Sequence, residues 1–446
     1  MPSPDSSKLR RSLGTLPLVF ILYFTVSGGP FTTETLVHSV GPGLALLMLV
    51  LVPIVWSLPE ALIVGELASM LPEEGGYYRW VDRAFGRFWA FQNGWLTWMY
   101  SLVDMALYPL LFIQYLRYFA PSLTPEQQWF VSLAVIWGAT AINLLGSGRV
   151  GRASVVSGVF IVSGFLAVTL AALPHAVHTP WVPFAVPGQH PAQGLAVGLS
   201  IALWNYIGWD NASTVQGEVR DATRSYPRAL AIALPLVVLG YLTPLLSTLG
   251  ATDWTTWRDG GWPEIARAAA GRMGPFLADW VALAGMVSAL ALFNALLLAY
   301  SRIPFVMAQD GLLPRALAVT DRRGTPRNAV LAAAVCYSAF VLMPFGRLVV
   351  ADVLLYSLAL FLEFGALIAL RRKEPELRGA FRIPLPRGGV IALASAPVVI
   401  LGFVIAASFR DGTYGVPAVA GSAVAMIVGP IWFWFARRAA APYGRL

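Results

Sequence analysis

The chain has 446 residues, 57% of them hydrophobic and only 12% charged, with a mean hydropathy of +0.67. A soluble domain carries roughly 25% charged residues, so this composition excludes one and places the chain in a lipid bilayer. The net charge of +8 and pI near 9.7 would suit nucleic acid only if the basic residues formed one aromatic-interleaved face; here they recur between apolar runs instead.

Twelve runs are long enough to cross a ~30 Å hydrocarbon core. In chain order they cover residues 15–38, 42–69, 88–118, 127–145, 152–173, 193–217, 228–249, 274–306, 328–344, 349–370, 389–408 and 415–436. They follow one another without a soluble insert, so a single all-α membrane domain is expected. With the N-terminus inside, 25 of the 31 Lys and Arg residues fall in cytoplasmic segments, from Lys8, Arg10 and Arg11 to Arg437, Arg438 and Arg445. Only Arg117, Arg258, Arg267, Arg272, Arg347 and Arg410 fall outside. Positive charge favours the cytoplasmic side, so a multi-pass protein of the cell membrane with both termini cytoplasmic is expected. The first run has no small-residue cleavage site and opens a polytopic pattern, unlike a signal peptide.

The single cysteine, Cys336, leaves no disulfide and no cysteine-based metal site. His38, His175, His178 and His190 fall in or near outer loops without the spacing of a helical zinc site. No cofactor and no metal are expected. A membrane enzyme would need a nucleophile with a base, or a metal set, and neither is legible.

Two of the spans are interrupted by small and polar residues. The first runs from Leu16 to Val26, breaks at Ser27-Gly28-Gly29-Pro30, and resumes to His38. The sixth runs from Gly194 to Leu203 and breaks at Trp204-Asn205-Tyr206-Ile207-Gly208-Trp209-Asp210-Asn211. An unpaired backbone amide in lipid costs several kcal/mol, so unwound backbone survives only where it lines a protected cavity. Interrupted helices at matching positions of two halves point to the binding site of a secondary transporter.

Other stretches carry a family likeness. Glu66-Leu67-Ala68, Pro72-Glu73-Glu74-Gly75-Gly76-Tyr77, Phe85-Gly86, Phe91 and Gly94-Trp95 resemble the span 2–3 signature of the amino acid–polyamine–organocation superfamily. Asp310-Gly311-Leu312-Leu313-Pro314 with Gly324-Thr325-Pro326 resembles its span 8–9 link. Val26 to Phe31, Trp56 to Leu62, Asp104 to Pro109, Trp209 to Thr214 and Leu362-Glu363-Phe364 resemble the plant-type polyamine/proton symporters and their bacterial relatives. The resemblance implies an inverted five-plus-five helix repeat with broken spans 1 and 6. Repeat one would cover about 15–175, repeat two about 193–371, and two extra C-terminal spans about 388–437. It also implies that an aromatic at the position of Trp204 gates the site and that an acid at the position of Asp210 governs release.

The carboxylates carry the substrate argument. Glu34, Glu60, Glu66, Asp104, Asp210, Asp352 and Glu363 lie at spanning depth, with no Lys or Arg mid-span to neutralise them. Such residues default to pathway or relay roles, and an anionic cavity favours a cation. Thr97, Tyr100, Ser101, Asp104 and Tyr108 form one polar stripe of span three, placing tyrosine rings beside an ammonium-binding acid. Asp210 reads equally as a helix N-cap and as a cavity acid. Trp204, Tyr206 and Trp209 surround the break, with Asn205 within it, and Asn294 of span eight is a further lining candidate.

Amino-acid carriers of the superfamily hold the substrate carboxylate on free amides at the first break. Ser27, Gly28 and Gly29 would serve an amino acid in that way, but Pro30 lacks an amide hydrogen and Glu34 would repel a carboxylate. Glu60 and Glu363 are proton-coupling candidates, since burial suits a carboxylate to proton binding and release. Glu66 is expected to close the cytoplasmic mouth near Arg79 and Arg83. Span five has only Arg149 and Arg152 at its cytoplasmic end, so the lysine used by some proton-coupled relatives is missing. The sequence thus supports an alternating-access transporter of small organic cations, polyamines such as putrescine or spermidine foremost, with protons as the expected coupling ion. An amino-acid permease or exchanger of the same fold is the second reading. A sensor derived from a carrier would differ by binding without flux.

Overall fold

A computed structural model describes residues 11–188, 191–340, 345–408 and 415–440. Lys8, Arg10, Arg410, Arg445 and His190, used above, lie outside the described residues, as does the end of the expected 328–344 span.

Every regular element among the described residues is helical. The first broken segment is α1 (Thr15–Val26) and α2 (Thr33–Val40). After it come α3 (Pro42–Met70), α4 (Tyr77–Phe85), α5 (Arg87–Phe119), α6 (Pro125–Asn143) and α7 (Ser147–Ala172). The second broken segment is α8 (Pro191–Trp204), followed by a short 3₁₀ helix at Asn211–Glu218. The chain continues with α9 (Ala222–Ala251), α10 (Trp262–Ala269), α11 (Gly274–Tyr300) and α12 (Arg302–Gln309). It ends with α13 (Arg327–Phe340), α14 (Phe345–Lys373), α15 (Arg387–Ser408) and α16 (Gly415–Ala440). Among the described residues, seven helical stretches are long and apolar enough to cross a membrane, and Thr15–Val26 and Ala420–Phe435 are shorter apolar helices.

Both breaks have a backbone cause. Gly28 and Gly29 take φ of +71° and +121°, and Thr32 follows at +77°, a region that glycine enters freely and other residues rarely. Gly208 takes φ of +104°. The breaks also touch: a Cβ on Gly208 would stand 2.2 Å from the Thr25 carbonyl oxygen. We therefore expect Gly208→Ala to cost about 1–3 kcal/mol in backbone strain, beyond the clash. A lowered unfolding temperature in detergent, with uptake lost, would be the readout.

One expectation needs correcting here. Asp210 stands at the N-cap position of Asn211–Glu218, yet its side chain caps nothing, and the helix it precedes is 3₁₀ rather than α. Its carboxylate instead meets the Tyr356 phenol.

Around the breaks, α1 packs on α7, α9 and α11, while α5 packs on α11 and α14. A basic side of the molecule is tied shut beneath Asn211–Glu218. Arg220 N donates to Leu13 O at 2.8 Å, and Gly75 N to Thr214 O at 2.9 Å. Arg302 is fully buried and pairs with Glu218 at 2.7 Å. Arg79 pairs with Asp310 at 2.8 Å. The Glu66 carboxylate accepts from Arg371 Nε at 2.7 Å and from Ile383 N at 2.8 Å. Glu66 thus closes on Arg371, not on Arg79 or Arg83, because α14 carries Arg371 alongside α3; Arg83 pairs with Glu374 instead.

Candidate functional site

The meeting of the two breaks encloses a cavity of about 20 Å³, bordered by Asp104, Asp352, Tyr100, Tyr108, Tyr300 and Tyr356, with Thr25–Ser27 and Gly208 supplying backbone. That is room for about one water. Asp104 sits on α5, one turn from Tyr108, whose phenol donates to its Oδ1 at 2.6 Å. Tyr300, at the end of α11, donates to Oδ2 at 2.9 Å. Each oxygen of Asp104 therefore has its own phenol. Asp352, on α14, is 2% exposed and its Oδ1 has no partner. Neither Lys nor Arg borders the cavity. The Tyr100 ring meets Tyr300 and Tyr356 edge to face, at 5.5 and 5.4 Å between centroids. Two carboxylates walled by aromatic rings in low dielectric attract a cation.

Behind this cavity stands a second group of acids. The Tyr356 hydroxyl accepts from Gly208 N at 2.9 Å. It lies 2.6 Å from both Glu60 Oε1 and Asp210 Oδ1. A phenol has one hydrogen, so it donates to one carboxylate at a time, and the other contact needs a proton of its own. Glu60 also accepts from Trp56 Nε1 and from Trp209 N, each at 2.9 Å. It thereby holds an amide of the broken segment that no helix satisfies. Glu363 is fully buried, and its carboxyl group faces the side chains of Asp210 and Asn93.

Several residues singled out in the sequence stand elsewhere. Tyr100, Asp104, Tyr108, Trp204, Asn205 and Ser27 do border the cavity. Asp210 does not, and reaches it only through Tyr356. Gly28 packs against Ser288 and Leu292, and Gly29 against Phe31 and Ile161. Tyr206 is spent on Leu49 O, and Trp209 is buried against neither cavity wall. Asn294 accepts from Asn143 Nδ2 at 2.7 Å, pinning α11 to α6 instead of lining the cavity. Glu34 accepts from Gly260 N at 2.9 Å. From the first turn of α2 its carboxylate is held by the loop before α10, and Glu34 does not border the cavity.

The tyrosines Tyr300 and Tyr356 and the cavity position of Asp352 had no assignment in the sequence reading. A signal existed, since Asp352, Tyr356 and Glu363 recur at four and seven residues and so share one face of α14.

The backbone amides of the first break are occupied. Ser27 N and Gly28 N both donate to Tyr23 O, at 2.8 and 3.2 Å, and Gly29 N donates to Ser27 Oγ at 3.1 Å. On the side away from the ion pairs, a vestibule of about 1120 Å³ lies between Gln114, Arg117, Arg258, Asp259 and Glu264. Trp204 borders both this vestibule and the small cavity.

Paired broken helices around an acidic cavity, with a vestibule on one side and buried ion pairs on the other, define a membrane permease. The family model described as amino acid permease matches residues 13–435, and the chain belongs to that family, within the amino acid–polyamine–organocation superfamily. It is similar to polyamine transporter PUT1 of Oryza sativa subsp. japonica, 36% identical over 430 residues, covering 95% of this chain and 78% of that one. Polyamine transporter RMV1 of Arabidopsis thaliana is 33% identical over 423 residues, covering 94% and 85%. A probable polyamine transporter of Arabidopsis thaliana is 37% identical over 412 residues, covering 90% and 85%.

Proposed function

We propose that this permease carries polyamines across the cell membrane by alternating access, and that protons drive it. The observation that carries the substrate class is the cavity itself: Asp104 held between two phenols, with no basic residue on the walls. Relatives that are named polyamine transporters support the same reading. An amino acid would need free amides for its carboxylate, and those of Ser27, Gly28 and Gly29 are already bonded. The amino-acid reading therefore falls behind.

The architecture proposed is twelve spans, with the inverted repeat over about 15–175 and 193–371 and two further spans over 388–437. The basic side is cytoplasmic, by the positive-inside rule, so the vestibule faces outward. In this orientation the inside-negative potential adds about 2.3 kcal/mol per charge per 100 mV to cation entry. For coupling, the reading assigns a proton to the Glu60, Tyr356, Asp210 and Glu363 group, which touches the cavity through one hydroxyl.

Labelled putrescine uptake into proteoliposomes tests the substrate class. Competition by excess putrescine or spermidine, and none by a neutral amino acid, is the expected result. No saturable putrescine uptake, with a labelled neutral amino acid taken up in its place, would return the amino-acid reading. Glu34→Gln should leave the ratio of putrescine to ornithine transport unchanged, since Glu34 bonds to the Gly260 loop; a ratio shifted tenfold would place it back in the substrate path.

A further inference from the structure

Every phenol hydrogen around the cavity is committed. Tyr108 and Tyr300 donate to Asp104. Tyr100 donates to Asn211 Oδ1 at 2.9 Å. Tyr356 stands between Glu60 and Asp210. Asp104 is complete within the protein, and Asp352 is not. Asp352 borders the same cavity, its Oδ1 is buried without a hydrogen-bond partner, and no basic side chain among the described residues pairs with it. A buried charge is held only when it is paired. The protein hydrogen-bonds Asp104 and leaves Asp352 Oδ1 bare, and it gives neither carboxylate a cation among the described residues, so the charge that completes the pair comes from outside the chain.

We propose that Asp352 is the second anionic anchor of the cavity, and that the Asp104–Asp352 pair selects amines bearing two or more charges over monoamines. The inference rests on the polyamine reading above. A monocation neutralises one of the two carboxylates and leaves the other charged in low dielectric. A dication neutralises both, wherever along the cavity each ammonium group comes to rest. The selectivity is a matching of charge number, so it requires no pocket shaped to chain length.

Butylamine and putrescine share a four-carbon chain and differ by one ammonium group, which makes them the probe pair. Substrate-induced thermal stabilisation of the purified protein in detergent reads binding without needing transport. Parent protein is expected to bind putrescine at least about 100-fold more tightly than butylamine. Asp352→Asn is expected to bring that ratio down at least tenfold while keeping the unliganded melting profile, and Asp352→Glu to keep most of the preference. An unchanged ratio in a folded Asp352→Asn protein overturns the inference, and so does equal loss of both amines. Should that variant fail to fold, Asp352→Ser carries the same expectation and the same overturning result. A parent protein stabilised by neither putrescine nor spermidine overturns the polyamine reading itself, a result distinguishable from any change of ratio.

Discussion

Asp104→Asn is expected to reduce polyamine binding and uptake at least about 100-fold with the fold intact. The exchange keeps side-chain volume; one of the Tyr108 and Tyr300 hydroxyls still donates to the amide oxygen, and the other rotates to accept from the amide nitrogen. What disappears is the one cavity charge that the protein itself stabilises. Truncating one member of a buried, hydrogen-bonded charge pair costs about 2–5 kcal/mol, and about 1.4 kcal/mol is a factor of ten. Thermal stabilisation by putrescine measures the binding loss, and proteoliposome uptake the transport loss. Equal stabilisation of mutant and parent would remove Asp104 from the substrate site. The unliganded melting curve separates this result from simple misfolding.

Glu363→Gln is expected to abolish pH-driven accumulation while leaving counterflow exchange of labelled for unlabelled putrescine. One proton per substrate multiplies accumulation about tenfold per pH unit, since a unit of pH is worth about 1.36 kcal/mol. Accumulation should therefore rise with acid outside in the parent and follow voltage alone in the mutant. Glu363 faces the side chains of Asp210 and Asn93, whereas Glu60 also holds Trp56 and the Trp209 amide, which makes exchange of Glu363 the less disruptive. Tyr356→Phe should uncouple in the same direction, because it removes the hydroxyl that meets both Glu60 and Asp210. A Glu363→Gln protein that still accumulates tenfold per pH unit would take Glu363 out of the coupling. Parent accumulation that ignores pH would take protons out altogether.

The sequence marks the parts of the site that need special backbone and misses the parts built by side-chain direction. Gly28, Gly29 and Gly208 announce the breaks, because only unwound backbone wants them there. Asp104 with Tyr108 is legible as a four-residue helical spacing, and the hydrogen bond follows it. Glu34, Asn294 and Trp209 are polar or aromatic at plausible depths, yet depth alone does not say which way a side chain faces. Tertiary packing decides that: Asn294 turns to Asn143 and Glu34 to Gly260. Tyr300 reaches Asp104 across 196 positions of chain, a pairing that no local periodicity encodes. Asp352 shares a helical face with Tyr356 and Glu363, but that spacing does not say what the face meets, which is decided by how α14 leans on α5.

The two sides of the cavity are closed by barriers of unequal kind. Toward the vestibule stands one indole, that of Trp204. Toward the basic side stand Arg302 with Glu218, Arg371 with Glu66, and Arg79 with Asp310. A ring turns by rotamer exchange, whereas separating a buried ion pair exposes a charge at a cost of about 3–5 kcal/mol. The first barrier is a flap and the second a latch. Ionic strength weakens charges in water but reaches buried pairs poorly, and Arg302 is shielded from solvent entirely. Added salt should thus compete for the vestibule without loosening the buried pairs, so the basic side stays shut as the surrounding medium changes.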